Sequence, residues 1–170
     1  MDSFQLKPLT PAGIAGAIDK AKQYRLLNEP GTAESICRDI LDIDGKHEEG
    51  TILLLLTLTD LFTRGFAGRF DEALQLAQSL GDPYHRAYYT GIVYERRAKA
   101  HLRSHAPQSG IIAYDWLRRA MVQFEVAERL RPEGDDQAIL RWNGCVRRLR
   151  AHAELRPASE EPGVPPLQGD

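Results

Sequence analysis

Two histidines, His101 and His105, stand four residues apart in a helical stretch, a spacing that places both rings on one helix face. A zinc-protease pair of this spacing needs glutamate directly after the first histidine, and Leu102 occupies that position. His85, Glu95 or Asp115 are the residues that could supply a third ligand. Without the glutamate the pair reads as two solvated histidines near a helix end, where positive charge is favourable. Gly65-Phe66-Ala67-Gly68 is glycine-rich but lacks the following lysine and hydroxyl residue of a phosphate loop. No GxSxG nucleophile elbow occurs. Asp39, Asp42 and Asp44 cluster without the spacing of a calcium loop. The chain is therefore expected to bind and not to catalyse, with no metal and no cofactor. A metal-dependent protein centred on His101 and His105 is one alternative.

A second alternative comes from arginine. Arg141, Arg147, Arg148 and Arg150 lie beside Trp142, and guanidinium groups next to an aromatic can hold phosphates and stack on bases. Ion pairs with Glu125, Glu128 or Asp136 are the simpler use of such a helix, so nucleic-acid binding is disfavoured. The net charge of −2 gives no general pull toward polyanions. It is unevenly spread: residues 1–84 hold eight basic and thirteen acidic side chains, residues 85–170 fourteen and eleven. Cys37 and Cys145 are far apart and sit in apolar patterns, as free core thiols of a reducing cytoplasm would. Ile52 to Leu56 is the most apolar window and is far too short to span a bilayer, which needs about 20 residues. The first residues, Met1 to Phe4, carry no secretion signal.

The elements that must position these residues are helices. With 42% hydrophobic and 27% charged residues, the chain suits one domain. Apolar spacing of three and four predicts helices from Thr10-Pro11 to about Leu27, then to about Asp44, and from His47 to Thr63. Further helices are expected over Phe70 to Leu80, Tyr84 to His105, Ile111 to Leu130 and Asp135 to Glu154. Glycine, proline or asparagine separates each from the next. Thr10 is expected to cap the first. The leucines of the third are apolar all round, which suits a helix sandwiched between neighbours. The organisation reads as an extension over 1–10, a helical domain over 11–155 and a tail over 156–170. From Pro157 onward, four prolines, two glycines and three acidic residues leave little to bury, so disorder is expected there.

Within this all-α pattern a repeat recurs. Ala120, Phe124, Ala127 and Pro132 follow one another at intervals of four, three and five. Ala21, Tyr24, Ala33, Cys37, Ile40 and Gly45 form an earlier copy over two helices, and Gly91 with Tyr94 is a partial third. In the middle unit Leu55 and Leu58 replace the small and aromatic residues, and Ala73 arrives late. Small residues let helices approach, an aromatic fills the gap, and proline ends the helix. The pattern resembles the tetratricopeptide repeat, over about residues 11–150.

The resemblance implies a right-handed superhelix of antiparallel helical hairpins, about three plus a capping helix, seven helices in all. It implies an adaptor or scaffold that binds a protein or peptide on its concave face. Carried over residue by residue, the partner-facing positions are Lys22 and Arg25 in the first unit and His85, Tyr88, Ile92, Glu95 and Arg96 in the third. Tyr84 joins them as part of an aromatic patch with Tyr89, of which no more than two members should be exposed, because tyrosines also pack between hairpins. Ile18, Ile52, Leu56 and Thr59 complete the groove. Isoleucine at groove positions argues against the lysine and asparagine constellation with which some members hold acidic chaperone tails. Exposed apolar area on an incomplete stack would suit a homodimer.

Overall fold

The computed structural model describes residues 4–64 and 68–158. Gly65 to Ala67 and the expected disordered tail from 159 lie outside the described residues. Among the described residues are seven α-helices and no strand: α1 (Ile14–Leu26), α2 (Pro30–Ile43), α3 (Glu48–Asp60), α4 (Arg69–Ser79), α5 (Pro83–Ser104), α6 (Ser109–Leu130) and α7 (Gln137–Ala151). No helix is long and apolar enough to cross a membrane.

Local chemistry sets the boundaries. Pro30 and Pro83 open α2 and α5, where a missing amide hydrogen costs nothing. The Asp82 carboxylate accepts from the Tyr84 amide at 2.9 Å, and His47 Nδ1 accepts from the Gly50 amide at 3.1 Å. Thr10 departs from expectation. Its side chain makes no capping bond, and its carbonyl instead closes a 3-10 turn over Pro11–Gly13 ahead of α1. The seventh helix stops at Ala151, three residues early. Residues 152–156 turn back beneath the start of α6, burying Leu155 and setting the Glu154 backbone against Gly110.

Each helix packs on the next, and α3 also contacts α1 and α5. That central place explains its composition: leucines and threonines on every side are buried. The threonine hydroxyls need partners there, and Thr57 and Thr59 donate to the Leu53 and Leu56 carbonyls at 2.7 and 2.6 Å. Helices α5 and α6 run antiparallel: Tyr88 meets Phe124 near one end of the pair, and Tyr94 meets Trp116 farther along it.

Two apolar clusters share α5 as a wall. One gathers Ile18, Cys37, Ile40, Leu55, Leu58, Phe62 and Ala73; the other gathers Tyr88, Leu117, Phe124, Ala138 and Cys145. Ala120, Phe124 and Ala127 are fully buried, as are Ala21, Ala33, Cys37 and Ile40. The small residues act sterically. A methyl group on Gly91 would stand 2.6 Å from the Phe124 ring, so glycine is what lets α5 and α6 close to this distance. On another side of α5, the Arg97 guanidinium lies 3.8 Å over the Phe70 ring and 4.6 Å from that of Trp116, tying α4, α5 and α6 together.

Candidate binding cavity

The C-terminal ends of α1, α3 and α5 converge on a cavity of about 570 Å³. Five cationic side chains line it: Lys22 and Arg25 from α1, and Arg96, Lys99 and Arg103 from α5. Helix C-termini carry partial negative charge, which favours cations there. The apolar part of the wall comes from Leu26, Pro30, Phe62 and Ala100.

Asp60, the last residue of α3, organises the cations. Its Oδ2 accepts from Arg25 Nε at 2.8 Å and pairs with Arg25 Nη2 at 2.8 Å, and its Oδ1 accepts from Arg96 Nη1 at 2.8 Å. One carboxylate thus holds guanidinium groups from two other helices. All three side chains are well under a third exposed or close to it, so the ion pairs are shielded from bulk water and fix both arginines. Lys22 pairs with Glu49 at 2.6 Å, and that hydrogen bond holds its ammonium charged above the usual lysine range. Lys99 pairs with the buried Glu95, which also accepts from Arg141 of α7 at 3.4 Å. Among the described residues, Arg103 has no acidic partner and is exposed.

Of the partner-facing residues expected from the sequence, Lys22, Arg25 and Arg96 meet in this cavity, together with Thr59. The others lie elsewhere. Tyr84, Tyr88, Ile92 and Glu95 are buried, because α6 and α7 cover that face of α5. The Tyr84 hydroxyl donates to Asp135 at 2.9 Å, and burial with this carboxylate beside it pushes the phenol well above its ordinary range. The Tyr88 hydroxyl donates to Gln137 at 3.3 Å. His85 is half-buried and bonds Glu48 at 2.7 Å across α3 and α5. None of the four aromatic-patch members is exposed.

Lys99 and Arg103 are functional candidates that the repeat register passed over. They follow Arg96 by three and seven residues, so the three share one face of α5. The same two residues also line a second cavity of about 570 Å³, closed by Leu102, His105, Arg148 and His152. Lys99 and Arg103 thus stand between the two spaces, the second of which also holds Glu154, paired with His152.

The histidine pair does not assemble as its spacing suggested. His105 has a left-handed backbone, φ 49°, ends α5 and is exposed, whereas His101 lies within the helix and is half-buried. Among the described residues, no three His, Cys, Asp or Glu side chains converge as metal ligands. Within the arginine run, Arg141 turns inward to Glu95, and Trp142 donates to Glu125 at 3.1 Å. Both thiols are buried. Desolvation raises Cys37 to about 11 and Cys145 to about 12.

No known protein family matches this chain, and no curated protein or solved structure does either.

Proposed function

We propose that the chain is a protein-interaction module of tetratricopeptide-like architecture, and that it takes its partner in the cationic cavity where α1, α3 and α5 end. The observation that carries this reading is the convergence itself. Side chains from three helices far apart in sequence meet around one open, half-apolar cavity, with a shared carboxylate setting two arginines in place. Such preorganisation lowers the ordering cost of binding. Arginine offers large contact area with a polar tip, as binding hot spots require.

The repeat architecture is supported by the sequence offsets of four inter-helix ion pairs, while a fifth, Lys22 with Glu49, spans 27. Arg25 with Asp60 spans 35 residues, Arg38 with Glu72 spans 34, Glu48 with His85 spans 37 and Asp60 with Arg96 spans 36. A near-constant step linking α1 to α3, α2 to α4 and α3 to α5 is what stacked helical hairpins of one size produce. The step grows to 46 between Glu95 and Arg141, because α5 and α6 are each 22 residues long. In this reading the stack is a superhelix of three antiparallel hairpins, and α7 caps it. Two buried free thiols suit a cytoplasmic setting. The protein acts by surface complementarity and not by catalysis.

The test reverses charge at two cavity residues that are not buried. A Lys22→Glu/Arg103→Glu variant should keep the parental helical spectrum and melt while losing the partner captured by the parent from cell extract. An unchanged set of captured proteins would remove the cavity from the reading.

A further inference from the structure

We propose that the segment bound in this cavity is a phosphorylated peptide, with its phosphomonoester seated among Arg25, Arg96 and Arg103. The inference rests on the cavity being a partner site. It starts from charge. Five cations line the space, and three carboxylates touch them: Asp60 on Arg25 and Arg96, Glu49 on Lys22, and Glu95 on Lys99. At least two positive charges are left over, and Glu95 is further shared with Arg141. A single carboxylate would neutralise half of that excess. A phosphomonoester, carrying about −1.5 to −2 at neutral pH, matches it in one group.

Geometry points the same way. Asp60 holds Arg25 through Nε and Arg96 through Nη1, so the two guanidinium groups are fixed at the cavity wall from two helices. Arg103, one helical turn beyond Lys99, brings a guanidinium with no carboxylate partner among the described residues. Planar forks from separate directions suit a tetrahedral anion with three terminal oxygens.

The volume is far larger than a phosphate requires, and apolar Leu26, 89% exposed, stands at its wall. The ligand therefore brings more than the anion. Lys99 and Arg103 line both this cavity and the second one, which places further basic side chains, Arg148 among them, beside the proposed seat. Phe62, the one phenylalanine, tyrosine or tryptophan lining either cavity among the described residues, is buried, and His105 and His152 line the second cavity. Bases of single-stranded nucleic acid are held by stacking on exposed rings, and the cavity around Asp60 offers none, so its surroundings favour a peptide as carrier of the phosphate.

The experiment uses the full chain and fluorescein-labelled peptide pools with degenerate flanks around a central phosphoserine, serine or glutamate, read by anisotropy. The phosphoserine pool should bind about ten- to hundredfold more tightly than the serine pool, the range expected for hydrogen bonds to a charged group. Glutamate should stay close to serine, and inorganic phosphate should compete. Arg103→Ala should weaken phosphoserine binding about tenfold with an unchanged melt, because this exposed residue holds nothing else in place. Equal binding of all three pools, lost in Arg103→Ala, would overturn the phosphate assignment while leaving the peptide site. Phosphoserine binding that Arg103→Ala leaves intact would overturn the location. Tighter binding of adenosine monophosphate than of the phosphoserine pool would overturn the peptide as carrier. No binding of any pool at millimolar concentration would overturn the proposal itself.

Discussion

Replacing Gly91 with alanine separates helix propensity from helix approach. In an unencumbered helix interior, alanine is about 0.8–1 kcal/mol more favourable than glycine, so propensity alone predicts stabilisation. At position 91 the new methyl would stand 2.6 and 2.8 Å from two carbons of the Phe124 ring. Carbon atoms in contact prefer about 3.5–4.0 Å, so the ring or the whole of α6 must retreat. Phe124 is fully buried within the second apolar cluster. Overpacking of this kind costs about 1–3 kcal/mol, which reverses the sign. Phe124→Ala alone should cost about 3–5 kcal/mol through the cavity it leaves. In that background Gly91→Ala should regain its stabilising sign, giving a coupling energy of about 1–3 kcal/mol, the overpacking cost, in the double-mutant cycle. Gly144, in α7, has nothing within 4 Å of its notional methyl group and serves as control; its alanine variant should be stabilised. Urea unfolding followed by circular dichroism measures all five proteins. If Gly91→Ala stabilises the parent as Gly144→Ala does, the close packing of α5 on α6 argued above is wrong.

Other consequences follow from the polar groups. Asp60→Asn keeps one acceptor but loses the charge that binds Arg25 and Arg96, and should cost about 1–3 kcal/mol; a following Arg25→Ala should then add little, and a fully additive pair would refute the shared anchor. At pH 7.5 neither Cys37 nor Cys145 should react with a disulfide reagent faster than the chain unfolds, because both are buried thiols shifted to about 11 and 12. The raised folded-state values also set a sign. Their contribution to stability is full below the ordinary thiol value near 9 and is lost as pH climbs toward 11–12. A Cys37→Ala/Cys145→Ala variant should therefore lose less stability than the parent between pH 8 and pH 10, and an identical loss would contradict the assignment.

Much of the fold was legible because its signals are local. Proline, glycine and aspartate at the turns place the helix ends within a few residues, and the alanine spacing of α6 follows from what its neighbour requires. The all-round leucines of α3 also revealed their own setting. The cavity was less legible. The stripe Tyr84, Tyr88, Ile92 and Glu95 carries the residue types of a binding face, yet whether α7 covers it is a tertiary fact that its own spacing cannot encode. Arg96, Lys99 and Arg103 recur at one-turn intervals and could have been recognised as one face of α5. Their partner Asp60 carried a signal as well, as the acidic residue that ends an otherwise apolar helix. What joined these residues to Arg25 was the stacking of α1, α3 and α5, which no single stretch of sequence contains. His105 illustrates the reverse case: its spacing from His101 suggests a matched pair, but it ends α5 in a left-handed backbone and is exposed, while His101 is half-buried.

The central claim is that the partner enters where the ends of α1, α3 and α5 meet. A photo-crosslinking amino acid at Thr63, which lines that cavity and is exposed, tests it against the same probe at Gln78, exposed on α4. The account predicts a discrete crosslinked species from position 63 in cell extract, suppressed by Arg103→Glu, and none from position 78. Crosslinks of equal yield from both positions, or from position 78 alone, would contradict it.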